Sequence, residues 1–336
     1  MTQEPDQSCH IDVHAVELGE VVTGFFIVRK LDARTKRDGG GYLVLELGNT
    51  RGRVRSMCWD NVVELQDLLQ PGLLVKVRGR VGEYEDRRQL TLLRIRPVEP
   101  EDSVTAAELI PAYPGDMDAL LTQLDERIEN VKTPALHSLL ENLLGQEPTR
   151  SQFALAPAGK LWHHCYRGGL LEHSLSIAAI CETAAARHPL ADMDLLTTGA
   201  LLHDFGKIEE LSVNGYIDYS DAGRLIGHIV MESMLVARAM DDISDFPVEL
   251  RNQVLHLLVS HQGTRDQGSP IVPQTLEAMI LYYADELDSK AAAFERIIRQ
   301  ESAPGKNWSA YVNLIDRYLY LGNYSAEENS DIDTEP

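Results

Sequence analysis

Between Val21 and Val98 the apolar residues fall in short runs and alternations, not at helical spacing. VVTGFFIVRK (21–30), YLVLELGN (42–49), GRVRSMCW (52–59), LLVKVRGRVGEY (73–84) and RQLTLLRIRPV (88–98) are rich in β-branched and aromatic residues. That composition suits half-buried strands. RDGGG at 37–41 and GNTRG at 48–52 supply turns, and one helical stretch, DNVVELQDLLQPG, separates the third strand from the fourth. After Asp118 the apolar spacing becomes helical. Helices are expected near 118–130, 134–145, 151–157, 170–187, 192–203, 223–240, 247–262, 273–298 and 307–320. Pro134, Pro189, Pro247 and Pro273 stand at helix starts or between helices, where a missing N–H costs little.

Five strands with a helix after the third predict an OB-type barrel over residues 18–98. An all-α domain is expected over 118–320. Residues 1–17 read as a loose arm, the acidic and Pro-rich 99–117 as a linker, and 321–336 as an acidic disordered tail. The fold class is therefore multidomain, α and β. Such barrels hold single strands by stacking bases on aromatic rings over a basic groove. Phe25, Tyr42, Trp59 and Tyr84 are candidate stackers, with about half of them needed to fill the barrel. Arg29, Lys30, Arg53, Arg55, Arg78 and Arg80 are candidate phosphate contacts.

Charge sharpens that reading. The chain carries a net −21, yet residues 18–97 hold 15 Lys and Arg against 10 Asp and Glu, a net of +5. The remainder holds 16 against 42. A basic segment inside an acidic chain is the footprint of a module that binds polyanions. No apolar run reaches the roughly 18 residues of a membrane span, and the acidic N-terminus is not a signal peptide. Cys9, Cys58, Cys165 and Cys181 form no CxxC pair and read as reduced thiols of a cytoplasmic protein.

The chemistry gathers around LLHDFGK, residues 201–207. His203 and Asp204 can share one metal, and the second carboxylate oxygen can reach another. Gly206 is expected to give a sharp turn, and Lys207 places a cation where an anionic substrate would want it. Alone, such a pair reads as a helix end capped by a salt bridge. Other residues change the weight of it. His173 shares a helix face with Leu170, Ile177 and Ile180; His228 sits among apolar neighbours; His261 ends the run VLHLLVSHQG; Asp285 interrupts AMILYYADELDS. One buried histidine is usually a satisfied core residue. Three of them, with two carboxylates that need partners when buried, point to a metal.

These residues stand in a recognisable order. HHxxRGGLLEH (163–173), LLHDFGKIEEL (201–211), GRLIGHI (223–229), SHQG (260–263), GSPxxPxTxEA (268–278) and YADELDS (283–289) resemble the HD phosphohydrolase superfamily, and within it the YhaM-type 3′-to-5′ exoribonucleases. The resemblance covers roughly 18–300 and includes an OB domain ahead of an all-α HD domain. It implies that His173, His203, Asp204, His228, His261 and Asp285 are metal ligands, and that Asp204 and Lys207 are catalytic. It implies one or two divalent ions, Mn²⁺ first, with Fe²⁺, Ni²⁺, Co²⁺ or Zn²⁺ as alternatives. The substrate implied is single-stranded RNA, with DNA left open; His163, His164 and Arg167 are candidates to hold its terminal nucleotide, with helix-entry packing as the alternative, and Trp59, Arg53 and Arg55 are the barrel's candidates. A homo-oligomer is compatible with this, and no membrane is involved. One position departs from the pattern: Gln262 stands where the family often has a second histidine, which leaves the metal count open. Hydrolysis of free or cyclic nucleotides, or strand binding around a structural metal, are the competing functions.

Overall fold

The computed structural model describes residues 11–36, 39–85, 87–213, 215–303, 305–313, 315–322 and 324. The expected tail from 325 onward, the first ten residues of the arm and positions 37 and 38 of the first glycine-rich turn lie outside them. The chain divides into two compact units, residues 1–112 with 212–218, and residues 113–211 with 219–336.

The first unit is a closed five-stranded barrel in the order β1-β2-β3-β5-β4. Its strands are β1 (Val21–Thr35), β2 (Gly41–Asn49), β3 (Gly52–Cys58), β4 (Leu74–Tyr84) and β5 (Arg87–Pro97), with α1 (Val62–Leu68) between β3 and β4. β4 shows why the barrel forms. Val75, Val77, Gly79 and Val81 turn inward, while Lys76, Arg78 and Arg80 alternate outward. Phe26, Val28, Leu43, Leu45, Leu47, Val54 and Leu90 complete the core, and β3 meets β5 in parallel to close it.

Three expectations change here. The described end of the arm is not loose, since Val13 is buried in the barrel core with Ile11 and Val16 against it. The segment read as a linker is not a free tether. It holds two short 3-10 turns, and Leu109 and Ile110 pack with Phe25, Ile27 and Ile217 in a second apolar cluster of the barrel unit. Ile217 belongs to a small hairpin, β6 (Leu211–Val213) and β7 (Ile217–Tyr219), that the helical spacing concealed. Phe25 is accordingly core and not a stacking platform.

The Asp102 side chain, 4% exposed, ties β4 to β5 on the outside of the barrel. It accepts from Lys76 Nζ at 3.0 Å and from Arg96 at 2.7 and 2.9 Å. The Arg96 hydrogen bonds, assisted by the Glu99 N–H and Lys76 and opposed by burial, hold its carboxyl well below the usual carboxylate range. A depressed folded-state pKa contributes stability above the unfolded value of about 3.9, and that contribution is lost as pH falls through the folded value. Asp102→Asn is expected to cost the barrel about 1–2 kcal/mol at pH 7 and to lessen its acid sensitivity. Urea unfolding from pH 6 to 3, followed by Trp59 fluorescence with Trp162 and Trp308 replaced, checks this. Equal acid slopes in both proteins would remove Asp102 from the account.

The second unit is helical: α2 (Met117–Asn130), α3 (Pro134–Leu140), α4 (Thr149–Leu155), α5 (Gly169–Ala185), α6 (Met193–Leu202), α7 (Lys207–Glu210), α8 (Asp221–Ile226), α9 (His228–Asp241), α10 (Val248–Ser260) and α11 (Leu276–Glu301). α6 is buried from Leu195 to Leu202, and a Cβ at Gly199 would lie 2.6 Å from Leu257, so α10 approaches closely there. The helix expected over 223–240 is split. Gly227 takes φ 79°, ending α8 and starting α9 at His228. The described residues of 307–320 form no helix. Trp308 bridges Tyr320 and Val312 bridges Arg317, with ring pairs Trp308–Tyr320 and Tyr311–Tyr318 at 5.3 and 5.1 Å. Aromatic residues that could share a helix face pair instead across a hairpin.

Candidate metal centre

Asp204 lies one residue beyond the C-cap of α6, buried at the meeting of α5, α6, α9, α10 and α11. Its two oxygens face different histidines. Oδ2 lies 3.5 Å from His173 Nε2 and 3.4 Å from His203 Nε2. Oδ1 lies 3.5 Å from His228 Nε2 and 3.8 Å from His261 Nε2. Asp285 joins the first pair, with Oδ1 3.3 Å from His173 Nε2. Two groups that could hold a metal result, His173–His203–Asp204 and Asp204–His228–His261, each with one atom per residue within 4.8 Å of the others.

Each ring is turned by an acceptor on its far side. His173 Nδ1 donates to Asp288 at 2.7 Å, His203 Nδ1 to the Ala200 carbonyl at 2.9 Å, His228 Nδ1 to Glu210 at 3.0 Å and His261 Nδ1 to the Leu258 carbonyl at 2.7 Å. A proton fixed on Nδ1 leaves the Nε2 lone pair aimed inward, the arrangement metal-binding histidines need. Asp204 Oδ1 and His228 Nε2 are buried with no hydrogen-bond partner. Buried polar atoms without partners are costly, and a cation between them would satisfy both. The residues present therefore fit a divalent metal.

Burial opposes a charge on His173, but the carboxylates of Asp204, Asp285 and Asp288 raise its pKa well above the imidazole range, so that ring holds a second proton that a cation would displace. Burial alone would raise the Asp204 pKa, but Lys207 and the histidines hold it well below the carboxylate range. Lys207 Nζ sits 2.5 Å from Oδ2, buried, and despite burial Asp204 raises its pKa. Burial pushes His261 down to about 3, which keeps the imidazole neutral. Gly206 has φ −61°, so its role is not a left-handed turn. A Cβ there would meet the His228 carbonyl at 2.4 Å, and its smallness lets α9 close over the site.

His163 and His164 lie beside His173, with ring centroids 4.5 and 5.3 Å from it. Both are buried, and burial drives both pKa values down, that of His164 to about 4. Arg167 follows three residues later, its Nε buried without a hydrogen-bond partner. In the barrel unit Trp59, 40% exposed, stacks on Tyr42 at 4.8 Å, with Lys36 Nζ 5.0 Å from its ring centre. Arg53 and Arg55 are exposed on β3, Arg53 3.5 Å from Glu46. Arg29 is largely taken up by Glu46 and the Tyr216 ring, and burial lowers its pKa to about 10.

The family comparisons follow the same division. Residues 170–290 match the HD domain, and residues 27–98 match the OB-fold nucleic acid binding domain. The 3′-5′ exoribonuclease YhaM of Halalkalibacterium halodurans is 29% identical over 312 residues, covering 92% of this chain and 95% of that protein. YhaM of Bacillus subtilis strain 168 is 29% identical over 306 residues, covering 90% and 96%. YhaM of Oceanobacillus iheyensis is 28% identical over 314 residues, covering 93% and 97%. Over about nine-tenths of its length the chain is similar to the YhaM exoribonucleases. Among solved structures, the second OB-fold domain of replication protein A from Methanococcus maripaludis is similar over 26% of this chain and 94% of that one, at 17% identity and a TM-score of 0.23.

The site also contains acids that the motif reading passed over. Asp288 lies one turn beyond Asp285 in YADELDS, and it also accepts from Ser176. The i, i+3 spacing was the available signal. Glu210 binds both the ring and the backbone N–H of His228. Glu232, one turn beyond His228, is fully buried with Oε1 3.5 Å from His261 Nδ1. Burial, then the charge of Asp204, raises its carboxyl well above the usual range. Gln262, the departure from the YhaM pattern, turns its amide to His261 Nε2 at 3.2 Å. It therefore stands beside the Asp204–His228–His261 group, where its N–H can donate.

Proposed function

We propose that the protein is a metal-dependent 3′-to-5′ exonuclease that shortens single-stranded RNA, with the barrel holding the strand. The observation that carries this is the split of Asp204, one oxygen toward His173 and His203 and the other toward His228 and His261. His173, His203, Asp204 and Asp285 would hold one divalent ion, and Asp204, His228 and His261 a second. Imidazole and carboxylate ligands without thiolate suit Mn²⁺, which we favour, and also Fe²⁺, Co²⁺, Ni²⁺ or Zn²⁺. An ion held there makes hydroxide available near neutral pH and polarises a phosphoryl oxygen.

The chain's own groups do the rest. In hydrolysis a water oxygen bonds to phosphorus while the bond to the 3′-oxygen of the shortened strand breaks in line. Lys207 offsets the charge that grows on the non-bridging oxygens. His163 and His164, kept neutral by burial, offer hydrogen bonds to the terminal nucleotide without adding charge, and Arg167 offers a cation for its phosphate. The Tyr42–Trp59 pair gives bases a face to stack on, and Arg53 and Arg55 line the backbone's path. The free thiols of Cys58, Cys165 and Cys181 support a cytoplasmic setting. Among the described residues no helix is long and apolar enough to cross a membrane. A homo-oligomer is compatible with this function, and sedimentation of the full chain tests for it.

The test is a 5′-labelled RNA strand incubated with each of these ions, with a DNA strand of the same sequence in parallel. A ladder shortening one nucleotide at a time on RNA is expected. Intact strands with every ion, or turnover confined to free nucleotides, would overturn the proposal.

Glu210 offers a separate check on the ligands. Glu210→Ala frees the His228 ring, and metal affinity is expected to fall about 10–100-fold. Glu210→Gln, which still accepts through its amide oxygen, should keep most of it. Titration against a competing chelator measures both, and an unchanged affinity in the alanine variant would remove His228 from the ligand set.

A further inference from the structure

The outer face of β4 and β5 carries an arrangement that the strand-holding reading of β2 and β3 leaves unused. Lys76 of β4 stands opposite Arg96 of β5, and Arg78 stands opposite Arg94. Like charges directly opposite on neighbouring strands repel. The protein treats the two pairs differently. Lys76 and Arg96 share Asp102. Arg78 and Arg94 are both exposed, and neither forms an ion pair among the described residues.

The second pair exists because of a bulge. Gly79 pairs with Leu92, so a regular ladder would set Leu93 opposite Arg78. The register shifts there by one residue, Leu93 becomes the extra one, and Arg94 takes its place. Bulges re-aim side chains and recur beside functional sites. This one creates a repulsion that a regular strand would have avoided. Beyond it, Arg80 faces Thr91, Gly82 faces Gln89, and Tyr84, 56% exposed, faces Arg87. Arg80 also donates to the Gly19 carbonyl at 2.8 Å. Acids return at the turn, with Glu83 and Glu85.

We propose that Arg78 and Arg94, with Arg80 beyond them and Tyr84 at the far end, form a second nucleic-acid contact of the barrel, a track for the phosphates of a single strand. This rests on the reading of the barrel as the strand-holding module. Cross-strand neighbours stand about 5 Å apart at Cβ, close enough for two guanidinium forks to grip one phosphate or its immediate neighbour. An anion between them turns their repulsion into attraction, so the pair is at ease only when occupied. Gly82 keeps the surface low where a backbone would lie.

The test uses the full-length protein in EDTA, which prevents turnover, and a fluorescein-labelled oligouridine followed by anisotropy over a KCl series. The Arg78→Ser/Arg94→Ser double variant is expected to bind on the order of tenfold more weakly, with a log–log salt slope smaller by about 0.7–1.4, near 0.7 for each of the one or two phosphates no longer neutralised. Its barrel should unfold at the same temperature or higher, because the repulsion is gone. Trp59→Ala should weaken binding with the slope kept, as expected of a stacking residue. A double variant with wild-type slope and affinity would overturn the proposal, and so would one with a destabilised barrel, which would make the pair structural. A poly-glutamate peptide bound as tightly as the oligonucleotide, and released by the same variant, would assign the track to acidic protein instead. Wild-type protein that binds no oligouridine at all would overturn the strand-holding reading beneath it.

Discussion

Asp204→Ala is expected to silence hydrolysis while single-strand binding stays near its wild-type level. Asp204 belongs to both candidate groups, so its loss would strip a ligand from each at once. It also leaves Lys207 buried without its counter-ion. An uncompensated buried charge costs about 3–5 kcal/mol, so the alanine variant tests the fold along with the chemistry. Asp204→Asn separates the two. It keeps the volume and one acceptor oxygen but not the charge that draws a divalent ion. Turnover should drop by more than the roughly 10²–10³-fold that loss of one oxyanion donor costs, and bound metal should fall in parallel. Filter binding on the same preparation reports the barrel, whose platform contains no residue of this centre. An asparagine variant that kept both turnover and metal would mean the centre has been misplaced.

Lys207→Ala is expected to lower kcat far more than it raises KM. The interaction strengthens as charge develops on the phosphoryl oxygens, so its removal acts on the transition state. A loss of about 2–4 kcal/mol in transition-state stabilisation is anticipated, by analogy with an oxyanion donor. The structure adds a second expectation. Lys207 Nζ sits on the Asp204 oxygen that faces His173 and His203, so it competes with a cation for that oxygen. Removing it should leave metal affinity unchanged or higher. Lys207→Arg is not expected to restore the rate, since a planar guanidinium does not fit where a compact ammonium is buried. Metal content that falls with Lys207→Ala would make the lysine a structural support.

The strands were legible because each carries its own signal: β-branched residues, glycine turns, and a two-residue alternation that β4 keeps almost throughout. The residues of the candidate centre were legible for a related reason. His173, His203, His228, His261 and Asp285 interrupt otherwise apolar helical faces, and an interruption of that kind shows in one dimension. Asp288, Glu210 and Glu232 did not stand out. In a chain with 52 acidic residues, a carboxylate on a helix is ordinary until burial marks it. The hairpin around Ile217 failed for want of length, since three-residue strands carry too little pattern to compete with the helices on either side. The segment 307–320 failed because its aromatic spacing satisfies a helix face and a hairpin alike, and only long-range pairing decides between them.

That hairpin has a consequence for synthesis. Ser212–Asp218 belong to the barrel unit, yet they are encoded about a hundred residues after its last contiguous stretch ends at Ala112. While the chain is being made, the cluster of Phe25, Ile27, Leu109 and Ile110 must wait for Ile217. At about 5–20 residues per second the wait is on the order of 5–20 seconds. During that time an apolar surface of the nascent barrel stays open, and His173, His203 and Asp204 are made behind it, ahead of His228, His261 and Asp285. The barrel is the first module begun, yet it cannot be finished until the chain has passed Asp218.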